Sequence, residues 1–203
     1  MSIQITSACL IRNNHIQLNG ETMIEKEKHL PFNEFIKGAY ELNASPNLKF
    51  FKMDNLCKLA FITSEFLLKN KKISEQYGAE NVSLLFANTS SSLDTDINYY
   101  NTVKDFASPS LFVYTLPNIM LGEISIRNKF KGENAFFVFE QFQADFLCNY
   151  ATQLIKEKKA KVVIIGWVEL LKENYESFLC LTEENGNGAE LTNENLNELY
   201  NGK

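Results

Sequence analysis

Apolar residues recur along this chain in two rhythms. Runs rich in β-branched and aromatic residues cover 3–12 and 15–18, with Asn13-Asn14 between them, which predicts a strand and a returning hairpin. Residues 30–50, with Pro31 and Pro46, read as an irregular connection holding a short helix. From 53 to 69 the apolar positions 53, 56, 59, 60, 67 and 68 mark an amphipathic helix. A strand is expected at 82–86. Ser91 and Asp94 then stand at capping-box spacing before a helix through Asn101 to Phe106, which Ser108-Pro109 ends. Next come an extended piece at 111–115 and a helix opened by Pro117 and running to about Phe130. A buried strand at 135–139, a helix at 143–157 and strands at 162–167 and 177–182 follow. Residues 185–188 read as a loop, and Thr192 as the cap of a last helix to about Tyr200.

Strong strands that alternate with helices predict one α/β domain over 1–203. Its expected core is a five-stranded, mainly parallel sheet flanked by helices, with strands at 3–12, 82–86, 135–139, 162–167 and 177–182. The last of these is expected to be antiparallel, as an edge strand.

Composition narrows the function. The chain has 203 residues, 45% of them apolar, and a net charge of −5. Its only arginines are Arg12 and Arg127, so it has no basic stripe of the kind a nucleic-acid partner requires. The lysines at 156–159 suit a helix end, where they complement the dipole. No apolar run reaches the ~20 residues of a membrane span, and MSIQITSACLIRNNH lacks the pattern of an export leader. Cys9, Cys57, Cys148 and Cys180 are scattered, as expected of reduced thiols in the cytoplasm. No ligand spacing suggests a metal, and no motif suggests a cofactor. Asp94 and Asp96 read as helix-start charges, and Gly186-Asn-Gly188 as a surface turn.

The informative stretch is GENAFFVFEQFQADF, residues 132–146. It reads as a strand passing through Glu140-Gln141 into a helix, a turn where the helix N-terminus favours an anionic nucleophile. Gln141 can neither attack a thioester nor take up a proton. Its amide is either a buried hydrogen-bonding group beside the helix or a donor to an enolate oxygen in malonyl decarboxylation.

Four segments resemble the N-terminal half of the β-ketoacyl synthases, thiolase-fold enzymes. FFKMDNLCKLAFITSEFLL (50–68) is similar to the family's helix around Met-Asp, with Met53-Asp54 in register. VSLLFANTSSSLDTD resembles the strand and Gly-rich turn that follow, with serines for glycines. SPSLFVYTLPNIMLGEISIRNKFKGENAFFVF keeps Pro109, Pro117, Asn118, Gly122, Ile126, Gly132 and Asn134 in register, and KVVIIGWVE matches a later strand.

The resemblance implies that the family's active-site cysteine falls on Gln141. It also implies that the family's two histidines belong to a C-terminal half that would begin near the end of this sequence; His15 and His29 match neither. An Glu-Gln pair in this turn is similar to that of chain-length factors, the non-condensing partners of type II polyketide synthases. The length resembles the short ketosynthase-like subunits of aryl polyene pathways. The implied function is a non-catalytic, chain-length-factor-like subunit that pairs with a full-length β-ketoacyl synthase in fatty acid or polyketide synthesis, near an acyl carrier protein. In this family the strand at 135–139, with Phe137, would pair across a dimer two-fold. Tyr114, Thr115, Leu116, Ile119 and Met120 would face the partner's acyl tunnel. Remaining alternatives are self-pairing as a homodimer, an acyl-thioester enzyme such as a malonyl decarboxylase using Gln141, and an assembly protein without acyl chemistry.

Overall fold

The computed structural model describes residues 2–43, 46–184 and 186–202. Strand β1 (Ile3–Arg12) turns back through Asn13 and Asn14, both at positive φ, into β2 (His15–Leu18). Two positive-φ residues are what a tight two-residue hairpin needs, and asparagine tolerates that conformation. Asn19-Gly20 repeats the device and leads to β3 (Glu21–Glu25). Helix α1 (Phe32–Asn43) buries Phe32, Phe35, Ile36 and Ala39, one face at helical spacing. A 3₁₀ turn at Leu48–Lys52 leads to α2 (Asn55–Leu67), where the Asp54 carboxylate caps the Cys57 N–H. Then follow α3 (Ile73–Tyr77), β4 (Val82–Asn88), α4 (Leu93–Val103), α5 (Pro109–Phe112), a 3₁₀ turn at Val113–Thr115 and α6 (Ile119–Asn128). Strand β5 (Asn134–Val138), α7 (Ala144–Lys156), β6 (Val162–Leu171), β7 (Asn174–Glu184), β8 (Ala189–Glu190) and α8 (Asn193–Tyr200) complete the order.

The strands form one mixed sheet in the order β3-β2-β1-β7-β6-β4-β5, with β8 beside β1. The five strands expected from sequence are contiguous in it, from β1 to the β5 edge. β5, β4 and β6 pair in parallel, while β7 is antiparallel to both β6 and β1. Four of the five therefore run one way and β7 runs the other. Three short strands, β2, β3 and β8, extend this core to eight. The reversed strand is interior, not an edge, because it joins β6 by a tight hairpin and β1 covers its other side.

Helices close both faces. One core gathers β1, β4, β6 and β7 residues against α1, α2 and α6, including Phe61, Leu59, Phe86 and Ile124. The other packs Leu147, Ala151 and Leu154 of α7 and Leu196 of α8 onto Leu85, Val163, Ile165 and Cys180. Gly166 of β6 faces the first of these cores. A Cβ there would lie 2.5 Å from both Phe86 Cδ1 and Leu179 Cδ2.

Several expectations need correction. The connection at 30–50 holds a full twelve-residue helix, since Pro31 precedes its first turn instead of breaking it. Residues 111–115 are helical, because Ser108 Oγ accepts the Leu111 N–H and Pro109 takes the first helical position. The cap of α4 is at Ser92. Ser91 stands at φ 52°, its N–H held by Asn88, and Asp94 instead accepts the Lys172 N–H. Strand β5 is half-exposed at the sheet edge, with Val138 55% exposed, so its apolar composition does not reflect burial within this chain. Of the loop expected at 185–188, Asn185 lies outside the described residues; Gly188 abuts β1, where a Cβ would meet Ile5 O at 1.9 Å.

Candidate functional site

The parallel strands β4 and β5 end together beside β6, which runs on to Leu171, and the C-terminal ends of parallel strands are the usual location for chemistry in an α/β sheet. Two segments meet there, Asn88–Ser92 after β4 and Phe139–Gln143 after β5. The Thr89 hydroxyl donates to Glu140 O at 3.4 Å, and the Thr89 and Ser90 N–H groups donate to Glu169 Oε2 of β6 at 2.7 and 3.0 Å. The carboxylate of Glu169 therefore already fills the pair of amides that the β4 turn presents.

Gln141 stands on the bend between β5 and α7, three residues before the first helical residue, and is exposed. That corrects the expectation of a buried amide: the bend lies at the rim of the sheet, and Phe142 beside it points the chain inward. Phe142 stacks on Tyr200 of α8 at 4.2 Å and meets Trp167 edge-on at 5.9 Å. Behind it, Glu176 accepts hydrogen bonds from Arg12 Nε (2.9 Å), Trp167 Nε1 (3.0 Å) and Tyr200 OH (2.5 Å). This cluster pins the Gln141 bend and α8 to the sheet. Sequence reading missed it, because it joins residues from five separate segments.

No thiol or imidazole serves this turn among the described residues. Cys9, Cys57, Cys148 and Cys180 are all buried, and burial pushes each thiol above its ordinary range. His15 Nε2 is 2.9 Å from Thr22 Oγ1, and His29 lines a cleft at the ends of β1, β6 and β7. That cleft, about 930 Å³, carries mixed charge, with Arg12, Lys28, Glu169, Glu173 and Glu176 in its walls. Asn14 is its keystone. The buried Asn14 amide donates to the carbonyls of Glu27, Lys28 and Leu30 and accepts from the Tyr175 hydroxyl.

The residues expected along a partner's tunnel divide. Tyr114 and Met120 are buried, and burial beside Cys57 and the Glu123 and Asp54 carboxylates raises the Tyr114 hydroxyl to about 12. With Leu116, Pro117 and Ile119 they close over Asp54, Leu56 and Cys57, leaving no water-sized space. Leu116 is exposed, while Thr115 and Ile119 are half-buried. Phe137 lies apart on the other face of the sheet, packed against Phe146 at 4.8 Å, Tyr150 at 5.8 Å and Phe139 at 6.0 Å. Within one chain these residues do not converge on a single site.

No protein-family model matches the chain, and no curated protein does either. Solved structures do match. The ishigamide ketosynthase/chain length factor superimposes with a TM-score of 0.65 at 16% identity, over 91% of this chain and 63% of that one. The fold is that of the ketosynthases. A ketosynthase in complex with its chain length factor from Xenorhabdus doucetiae gives 0.57 at 11% identity, over 92% of this chain and 81% of the other. A type II polyketide synthase acyl-carrier protein complex with its ketosynthase, bound to the hexaketide, gives 0.58 at 12%, over 91% and 63%. The ketosynthase-fold chain thus spans about three-fifths of the length of two of these three. No helix among the described residues is long and apolar enough to cross a membrane.

Proposed function

We propose that this ketosynthase-fold chain is a non-catalytic, chain-length-factor-like subunit that pairs with a complete β-ketoacyl synthase and shapes acyl-chain elongation in fatty acid or polyketide synthesis. The observation that carries the reading is Gln141 on the strand-to-helix bend, with all four thiols buried elsewhere. An amide there offers no nucleophile to a thioester. The likeness to ketosynthase–chain length factor structures supports a subunit role, and the exposed β5 edge offers a strand for pairing. Exposed Leu116 is the member of the 114–120 set best placed to meet a partner's acyl tunnel.

The test is reconstitution with acyl and malonyl carrier proteins. The chain alone gives no β-keto product by mass spectrometry; a complete synthase with the chain gives products whose length distribution depends on it. Condensation at synthase-like rates by the chain alone would overturn the proposal, and carbon dioxide release from malonyl carrier protein by the chain alone would favour a decarboxylase instead.

A further inference from the structure

We propose that the outward face of α4, continued by Phe106 and Phe112, is the surface on which the complete ketosynthase subunit docks; this rests on the partner reading above. Helix α4 is inverted for a surface helix. Thr95 is the one residue it buries, whereas Leu93, Ile97, Tyr100 and Val103 are all exposed, Tyr100 to 68%. Their spacing of four, three and three residues places them in one stripe along one side. On the inner side, polar bonds do the holding. Thr95 donates to Asp54, Ser92 Oγ donates to Thr115 O at 2.7 Å, and the Lys172 N–H donates to Asp94 at 2.8 Å. The stripe continues onto the next segment, where Phe106 is 78% exposed and Phe112, its ring 5.4 Å from Tyr99, is 53% exposed.

A contiguous apolar face of this kind marks an interaction surface. The opposite side of the molecule shows what a face meant for water looks like in the same chain: α7 turns Asp145, Asn149, Gln153 and Lys156 outward. Charge separates the two macromolecular choices. Across 92–119 the charged residues are Asp94, Asp96 and Asp105 against Lys104, a net of 1 − 3 = −2, in a chain of net −5. A second copy would bring like charge against like. A different subunit whose apolar patch is edged with lysine or arginine gains instead, which sets specificity and association rate.

The experiment uses the complete ketosynthase of the same organism, active-site cysteine intact, as the probe. Its affinity is measured by biolayer interferometry for the full chain, for the double variant Ile97→Asp/Tyr100→Asp, and for a control on the far face, Gln153→Asp. All three residues are exposed, and circular dichroism with thermal melting checks that each variant is folded. The expected result is a loss of about 100-fold or more for the double variant, a central apolar contact replaced by charge, and less than about twofold for the control. Equal binding by wild type and double variant overturns the docking surface and leaves the partner reading standing. Failure of the wild type to bind overturns both. Light scattering of the isolated chain showing a dimer that the double variant dissolves would assign the face to a second copy, and co-sedimentation with phosphatidylglycerol vesicles lost in the same variant would assign it to a membrane; either result overturns the proposal.

Discussion

A thiol placed at position 141 would stand exposed on a bend before a helix, while the four native thiols stay buried. Gln141→Cys should therefore take up one equivalent of iodoacetamide per folded chain before any native cysteine reacts, as read by peptide mass spectrometry. Labelling of Cys57 or Cys148 first would show that the bend is covered in solution. Condensation should stay absent, because one restored group does not rebuild a catalytic set that acts as a unit. Asn14 illustrates a different residue-level role. It combines φ 59° with hydrogen bonds to three carbonyls, so Asn14→Ala should cost about 3 kcal/mol in urea unfolding. A loss below ~1 kcal/mol would mean that water replaces the amide. Sequence announced the Asn-Asn turn but not this role, since the bonded carbonyls lie thirteen to sixteen residues away.

At the level of elements, Asp54 joins α2 to α4, capping Cys57 and receiving the Thr95 hydroxyl. Burial raises its carboxyl above 3.8, outweighing the two hydrogen bonds and Lys58 that lower it. The folded state thus binds this proton more tightly than the unfolded chain. The associated stability is fully present below pH 3.8 and is lost as pH rises through the raised folded value. At neutral pH the buried charge is a burden, and Asp54→Asn should lift it while keeping a good cap. The variant should melt no lower than wild type at pH 7 and show less decline in stability over that acidic window. Asp54→Ala should lose about 1 kcal/mol. If Asn falls as far as Ala, the negative charge is itself needed. Most elements were visible in the hydrophobic rhythm. β3, α3 and the full length of α1 were not, because short or Pro-flanked segments take their conformation from the neighbours they pack against.

For the whole molecule, the decisive feature is the asymmetry of its edges. β3 presents Glu21 and Glu25 at one end of the sheet, charges that discourage strand addition, whereas β5 presents Asn-Ala-Phe-Phe-Val at the other. Phe137→Asp would strike the aromatic packing with α7 and unfold this region, so it cannot isolate the edge. Val138→Lys can, because Val138 is 55% exposed. It should leave the melting temperature within ~2 °C and weaken co-elution with the ketosynthase on size exclusion, if strand pairing at β5 adds to docking on the α4 face. Co-elution undiminished would remove β5 from the interface. Gly166→Ala bears on the fold alone: with side chains 2.5 Å away on two sides, it should destabilise by about 1–3 kcal/mol.

The amino-acid sequence by itself determined most of the strands and helices, among them the five longer strands of the sheet, together with the family resemblance and the amide in place of a thiol at 141. These depend on local periodicity, capping and residue type, which are written along the chain. Only the tertiary structure decided that β7 lies inside the sheet, that Gln141 is exposed, that Tyr114 and Met120 belong to the core, and that α4 turns its apolar stripe outward. Each of those depends on which segment covers which, and burial is a property of neighbours distant in sequence. The same apolar spacing that predicts an inward face in α1 marks an outward one in α4, because the side of α4 facing the body is held by hydrogen bonds to Asp54, Thr115 and Lys172.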